Sequence, residues 1–155
     1  QLTSFERPLE LGSWKARDAT MIRSTEWSTD GVRSLKVELQ PAAYPSVSFY
    51  WPNADWQGYQ VFAVDFRNPN ENPVTLTIKV QDRQHSLNDK GRRDRFNYDV
   101  VLASGEVRSV SIAIREIQRA PENRNMQMDQ ISLVEIFASG LTERTSFFVD
   151  HLRLE

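Results

Sequence analysis

The sequence contains no cysteine, which excludes disulfides, thiolate metal sites and a cysteine nucleophile. Histidine is almost as scarce. His85 and His151 are the only two, far apart and without the spacing of an HExxH-type zinc helix. The six glycines are dispersed and form neither a phosphate-cradling loop nor a dinucleotide fingerprint, and no Gly-x-Ser-x-Gly elbow is present. No apolar run is long enough to cross a membrane as a helix; the longest, such as Val61 to Val64 and Phe147 to Val149, are strand-sized. Neither sign of charge dominates, with 19 basic against 21 acidic residues, so the totals lack the basic excess of a nucleic-acid binder. The one basic cluster, Lys90-Gly91-Arg92-Arg93-Asp94-Arg95, supplies few counterion-releasing contacts and reads as a solvated loop. The chain opens on Gln1 without an initiator Met or a signal peptide, as expected of a processed or excised piece of a longer protein.

What is present points to one domain spanning residues 1–155. Of 155 residues 39% are apolar, including 8 Phe, 4 Trp and 4 Tyr, enough for a single core. The dominant pattern has a period of two, the mark of strands with one buried and one wet face. Leu35, Val37 and Leu39 alternate with Lys36 and Glu38; Val47, Phe49 and Trp51 alternate with Ser48 and Tyr50. Val74, Leu76, Ile78 and Val80 alternate with Thr75, Thr77 and Lys79. Phe62, Val64 and Phe66, then Phe96, Tyr98 and Val100, then Val110, Ile112 and Ile114 repeat the pattern, and two further strands are predicted at 130–138 and 146–154. Asp30-Gly31, Asn68 to Pro73 and Ser104-Gly105 supply turn chemistry between the runs. Helix is confined to a single predicted turn at 115–120 before Pro121. Strands at this spacing predict an all-β, two-sheet antiparallel jelly-roll sandwich. The longest polar connection is 84–95, and such loops on a rigid scaffold are frequent carriers of function.

Three chemistries remain. Paired carboxylates for glycoside hydrolysis are available among 21 acidic residues, although a close pair is more often incidental. A hard cation such as Ca²⁺ would be held by carboxylate and carbonyl oxygens, with Glu6, Asp30 and Asp150 as candidates against the simpler reading of surface carboxylates. A sugar site would combine aromatic rings for C–H faces with planar polar groups for hydroxyls. Lys79, Gln81 and Arg83 are expected on one strand face, and Arg95, Asn97 and Asp99 on another. Trp51 and Trp56 flank a short loop, and either ring is a candidate platform, although a Trp in a sandwich is more often partly core.

The order of these pieces resembles galactose-binding-like carbohydrate-binding modules. The resemblance rests on Ser4-Phe5-Glu6, Trp14, Asp30-Gly31-Val32-Arg33-Ser34-Leu35-Lys36-Val37, Asp55-Trp56-Gln57-Gly58-Tyr59, the Arg95-Phe96 pair and the closing Phe148-Val149-Asp150-His151-Leu152-Arg153-Leu154. It spans nearly the whole chain and is strongest to modules attached to bacterial polysaccharide-degrading enzymes, agarase-type glycoside hydrolases among them. The chain is also similar to the sandwich of complex-I intermediate-associated proteins. The resemblance implies a structural Ca²⁺ held by Glu6, Asp30, Ser34 and Asp150. It implies a secreted, extracellular or periplasmic bacterial setting, a covalently linked glycoside hydrolase and a polysaccharide or oligosaccharide ligand, with no nucleic-acid or membrane partner. The sugar site would lie on the concave sheet or in the end loops, and Asp55 to Tyr59 reads as a structural hallmark. The ligand-binding residues expected are Gln81, Arg83, His85, Arg95 and Asn97, with Trp51 or Tyr98 stacking; the arginines suggest an acidic or sulfated sugar. A non-catalytic binding module is the leading expectation. The alternatives are a protein-interaction or assembly module on the same fold and a small glycosidase or polysaccharide lyase.

Overall fold

The computed structural model describes residues 1–88 and 91–155; Lys90 of the basic cluster lies outside the described residues. The strands in chain order are β1 (Trp14–Arg17), β2 (Ala19–Ser24), β3 (Ser34–Leu39), β4 (Ser46–Tyr50), β5 (Val61–Arg67), β6 (Val74–Asp82), β7 (Phe96–Leu102), β8 (Val107–Ala113), β9 (Ile131–Phe137) and β10 (Thr145–Leu154). Helices α1 (Arg83–Asn88) and α2 (Ile114–Arg119) are single short turns beside them. Two five-stranded antiparallel sheets result, ordered β1-β4-β9-β6-β7 and β2-β3-β10-β5-β8. The expected jelly-roll sandwich is therefore the fold.

The alternating residues build its centre. Leu35, Val37, Leu39, Val47, Leu76, Ile78, Val80, Phe147 and Val149 are all fully buried, in one cluster that spans both sheets. Burying each side chain of this size stabilises by about 1.5–3 kcal/mol. Trp56 belongs here too. It is completely buried, stacks on Phe62 at 5.1 Å and donates its indole N–H to the Pro52 carbonyl at 3.1 Å, so it is core and not a platform.

The departures from the sequence reading have physical reasons. β1 and β2 have weak patterns because three of the four β1 residues are exposed and β2 carries the exposed Ile22. Asp18 separates them with a left-handed φ of 48°, so the chain leaves one sheet and enters the other within a residue. β6 ends at Asp82, and Arg83 opens α1 instead of continuing a strand face with Lys79 and Gln81. The chain's two ends lie side by side: Thr3 bridges Leu152, and the Leu2 amide donates to the Leu152 carbonyl at 2.7 Å.

Candidate functional site

Antiparallel register aligns the outward residues of the first sheet into rows. One row runs Lys15, Ser48, Glu135, Lys79, Asn97 across all five strands. The next runs Arg17, Ser46, Phe137, Thr77, Asp99, and the third Tyr50, Leu133, Gln81. Cross-strand neighbours satisfy one another. Lys79 and Glu135 pair at 3.2 Å, Ser48 donates to Glu135 at 2.9 Å, and Thr77 donates to Asp99 at 2.7 Å; along the chain, Arg95 donates to the Asn97 side chain at 3.1 Å.

Two depressions of about 610 and about 510 Å³ lie on this face and share Arg17, Lys79, Arg95 and Glu135, which makes them one groove. Tyr44 stands at one end, edge-on to Phe137 at 6.1 Å. Tyr50 and Trp51 stand at the other, beside Gln81, His85 and Ser132. Tyr44 and Trp51 are 62% and 57% exposed. Trp51 holds a left-handed φ of 52°, which for a bulky residue costs about 1–2 kcal/mol. It turns the chain at the end of β4 while the Trp51 amide still donates to the Ser132 carbonyl at 2.9 Å. Rings at both ends with planar polar groups between them match a polysaccharide, which offers apolar C–H faces and many hydroxyls.

The centre of the second sheet's outer face is covered by contrast. Its outward Phe148 is only 1% exposed, covered by Trp27 and by the cations of Lys36 and Arg67 at 5.6 and 5.8 Å. Asp65 on the same face accepts from Thr29 at 2.7 Å and Arg153 at 3.3 Å.

Of the expected ligand-binding residues, Gln81, His85, Arg95, Asn97 and Trp51 come together along the groove. Tyr98 and Arg83 do not. Tyr98 lies opposite the buried Ile78, so it belongs to the core-side set of β7, where it stacks on Phe96 at 6.3 Å. Arg83 is an exposed residue at the start of α1, away from the groove lining. Arg17 and Glu135, which no local pattern marks, and Tyr44 also line the groove, as does Arg92 of the basic cluster that reads in sequence as a solvated loop. An aromatic between Pro41 and Pro45 was the available signal for Tyr44; register, which the sequence does not state, was needed for the others.

A buried ionic latch fixes one wall of the groove. Arg124 makes a fork to Asp82 at 2.6 and 2.8 Å and reaches Asp94 at 2.8 and 3.2 Å. Asp94 also meets His85 Nδ1 at 3.2 Å, and Asp82 accepts the His85 and Gln127 amides at 2.9 and 2.8 Å. Burial pushes the Asp82 carboxyl up, but the bonds from Arg124, Gln127 and His85 outweigh it and hold it below its ordinary value. For Asp94 the Arg124 hydrogen bonds are the main cause of a lowered value, opposed by burial and aided by His85. A carboxyl depressed in the fold stabilises above its unfolded pKa, about 3.9, and loses that contribution as pH falls through the folded value. Thermal melts from pH 7 to 2 are therefore expected to show Tm falling below about pH 4, with a shallower fall in an Asp94→Asn variant. A wild-type Tm that is flat across that acid range would contradict the latch.

The four residues expected around calcium share the corner where the chain ends meet. Glu6 Oε1 accepts the Val32 and Arg33 amides at 2.9 and 2.7 Å. Asp150 Oδ2 accepts the Thr29 and Asp30 amides at 2.8 and 3.0 Å. Asp30 accepts from the Gln1 side chain, and Ser34 donates to the Trp27 carbonyl at 2.5 Å. Gly31 fits between them with φ 72°, where a Cβ would sit 2.5 Å from the Glu6 carboxyl carbon. Burial raises the Asp150 carboxyl despite the amides of Thr29, Asp30 and His151 that pull it down. The donor set is all hard oxygen, which suits calcium chemically. The oxygens now face loop amides, and no group of three or more carboxylates or imidazoles is placed to hold a metal among the described residues.

The fold is a jelly roll of the kind found in family 11 and family 22 carbohydrate-binding modules. A family 11 module from Clostridium thermocellum, solved with a β-1,3-1,4-mixed-linked tetrasaccharide, is similar with a TM-score of 0.68 and 14% identity, covering 98% of this chain and 92% of that one. An exo-β-agarase is similar with a TM-score of 0.72 and 10% identity over 98% of this chain, which corresponds to 25% of the agarase. In sequence, β-agarase A of Vibrio sp. (strain JT0107) is 42% identical over 65 residues, 42% of this chain and 6% of that protein. β-Agarase B of the same strain is 22% identical over 84% of this chain and 15% of its own length. The chain thus spans only a small part of the agarases it resembles. No family model matches it.

Proposed function

We propose that this chain is a non-catalytic polysaccharide-binding module that holds a glycoside hydrolase near its substrate, outside the bacterial cell or in the periplasm. The observation that carries this reading is the groove on the first sheet, with Tyr44 at one end, Tyr50 and Trp51 at the other and Gln81, Asn97 and Arg95 along it. The likeness in fold to carbohydrate-binding modules and in sequence to two agarases supports it. One module on its own binds modestly, and tethering to an enzyme multiplies the effect. Affinity electrophoresis through agarose, mixed-linkage β-glucan and sulfated galactan gels tests the reading. Retardation in at least one gel, with no reducing ends released from the retained polymer, is the expected result. Free migration in every gel would contradict binding, and release of reducing ends would contradict the non-catalytic assignment.

A structural calcium ion is part of the proposal. Glu6 and Asp150 would hold it from either side of the 29–33 loop, with Asp30 and Ser34 as further oxygens, and it would tie the loop to both chain ends. An ion binding only the native state adds about 2.7 kcal/mol at about 100 times its Kd, or about 5–11 °C in Tm at this chain length. Melts in calcium and in chelator are expected to differ by that amount. Identical curves would remove calcium from the account.

A further inference from the structure

The groove's charge differs in sign from the chain's. The sequence as a whole carries a formal charge of −2, yet among the described residues that line the larger depression the cations include Arg17, Lys79 and Arg92, against the carboxylates of Asp99 and Glu135. Glu135 is paired with Lys79 at 3.2 Å and also accepts from Ser48 at 2.9 Å, while Asp99 accepts from the Thr77 hydroxyl at 2.7 Å and keeps its charge. Neither side chain of Arg17 or Arg92 has a carboxylate within ion-pair reach among the described residues. The cations also have a definite place. Arg17, Lys79 and Arg95 line the stretch common to both depressions, between the Tyr44 end and the Tyr50–Trp51 end.

Resting on the reading of this groove as a sugar site, we propose that its ligand is an anionic polysaccharide whose sulfate or carboxylate substituents sit over Arg17 and Arg92 while its rings pack at the two aromatic ends. Guanidinium pairs with such oxyanions through two parallel N–H bonds, a geometry an ammonium cannot offer. A neutral chain would leave Arg17 and Arg92 without a counter-charge. Glu135 does not repel the anion, because Lys79 and Ser48 hold its oxygens. The attraction is partly solvent-exposed and is screened as the Debye length shrinks with salt.

The test compares κ-carrageenan (sulfated), polygalacturonate (carboxylated) and agarose (neutral) by affinity electrophoresis, at about 20 and about 300 mM salt. At least one anionic polymer is expected to bind about tenfold more tightly than agarose at low salt, equivalent to about 1.4 kcal/mol, and the margin should narrow at high salt. Which anionic polymer is retained distinguishes sulfate from carboxylate recognition. An Arg17→Glu/Arg92→Glu double variant should lose that affinity at least about tenfold. The same charge change on α2, Arg115→Glu/Arg119→Glu, lies off the groove and should not. Circular dichroism confirms that both variants fold. Agarose binding as tight as either anionic polymer, or loss of affinity in both double variants alike, overturns the anionic ligand and leaves the sugar site standing. Retention by none of the three polymers overturns both.

Discussion

Replacing Arg124 by methionine is expected to lower stability by about 3–5 kcal/mol, because removing one partner of a buried ion pair leaves an uncompensated charge. At this length that is a fall in Tm of about 6–20 °C. Asp82 is wholly buried, and Arg124 supplies its two charged donors at 2.6 and 2.8 Å. Methionine keeps most of the side-chain volume, so the loss is electrostatic and does not reflect a cavity. Adding Asp82→Asn should recover part of the loss, since the stranded charge is then gone while the acceptors for the His85 and Gln127 amides are partly kept. The pair must be non-additive, being in direct contact. Denaturant melts of the two single variants and the double close that cycle; simple additivity would mean the latch is an exposed ion pair of little worth. The latch also bears on binding, since Asp94 and His85 hold the segment that carries Arg92 and Arg95.

Trp51→Ala is expected to weaken polysaccharide binding by about 2 kcal/mol, some thirtyfold, the scale of an aromatic hot spot. The indole is 57% exposed and lines the groove, so its loss removes contact area without opening the core, and the far-ultraviolet spectrum should not change. Tyr98→Ala is the matched comparison. Tyr98 is 42% exposed but belongs to the core-side set of β7, and its removal should leave affinity within about twofold. Isothermal titration with whichever oligosaccharide is bound decides the matter. Equal affinities for wild type and Trp51→Ala, with a loss in Tyr98→Ala, would place the site elsewhere.

Most of the fold was legible because period-two alternation is a direct record of which face is buried. Leu35, Val37 and Leu39, or Leu76, Ile78 and Val80, could hardly be read otherwise. Where burial is slight the record fades, as in β1 with its three exposed residues. The same rule carried its own warning about Tyr98, which alternates in step with Phe96 and Val100 and so had to share their side of the strand. The groove was half legible. Gln81 and Asn97 were readable as polar residues pointing away from a core; Trp51 alternates in step with the buried Val47 and Phe49 and reaches the groove only because β4 ends at Tyr50 and Trp51 turns left-handed. Arg17 and Glu135 were not readable, because their place depends on β1 and β9 lying on either side of β4, a matter of strand order that no local pattern encodes. The latch was invisible for a similar reason: Asp82 and Arg124 lie 42 residues apart, joined only once α1 and the segment after α2 fold against each other.

The central claim is that the partner meets the outer face of the first sheet. An NMR titration of the isotope-labelled chain with a bound oligosaccharide tests it most directly. Amide shifts should concentrate on Arg17, Tyr50, Trp51, Lys79, Asn97 and Glu135 while β2, β3 and β8 stay still. Shifts gathered on β3 and β8 instead, or confined to the corner of Glu6 and Asp150, would contradict it.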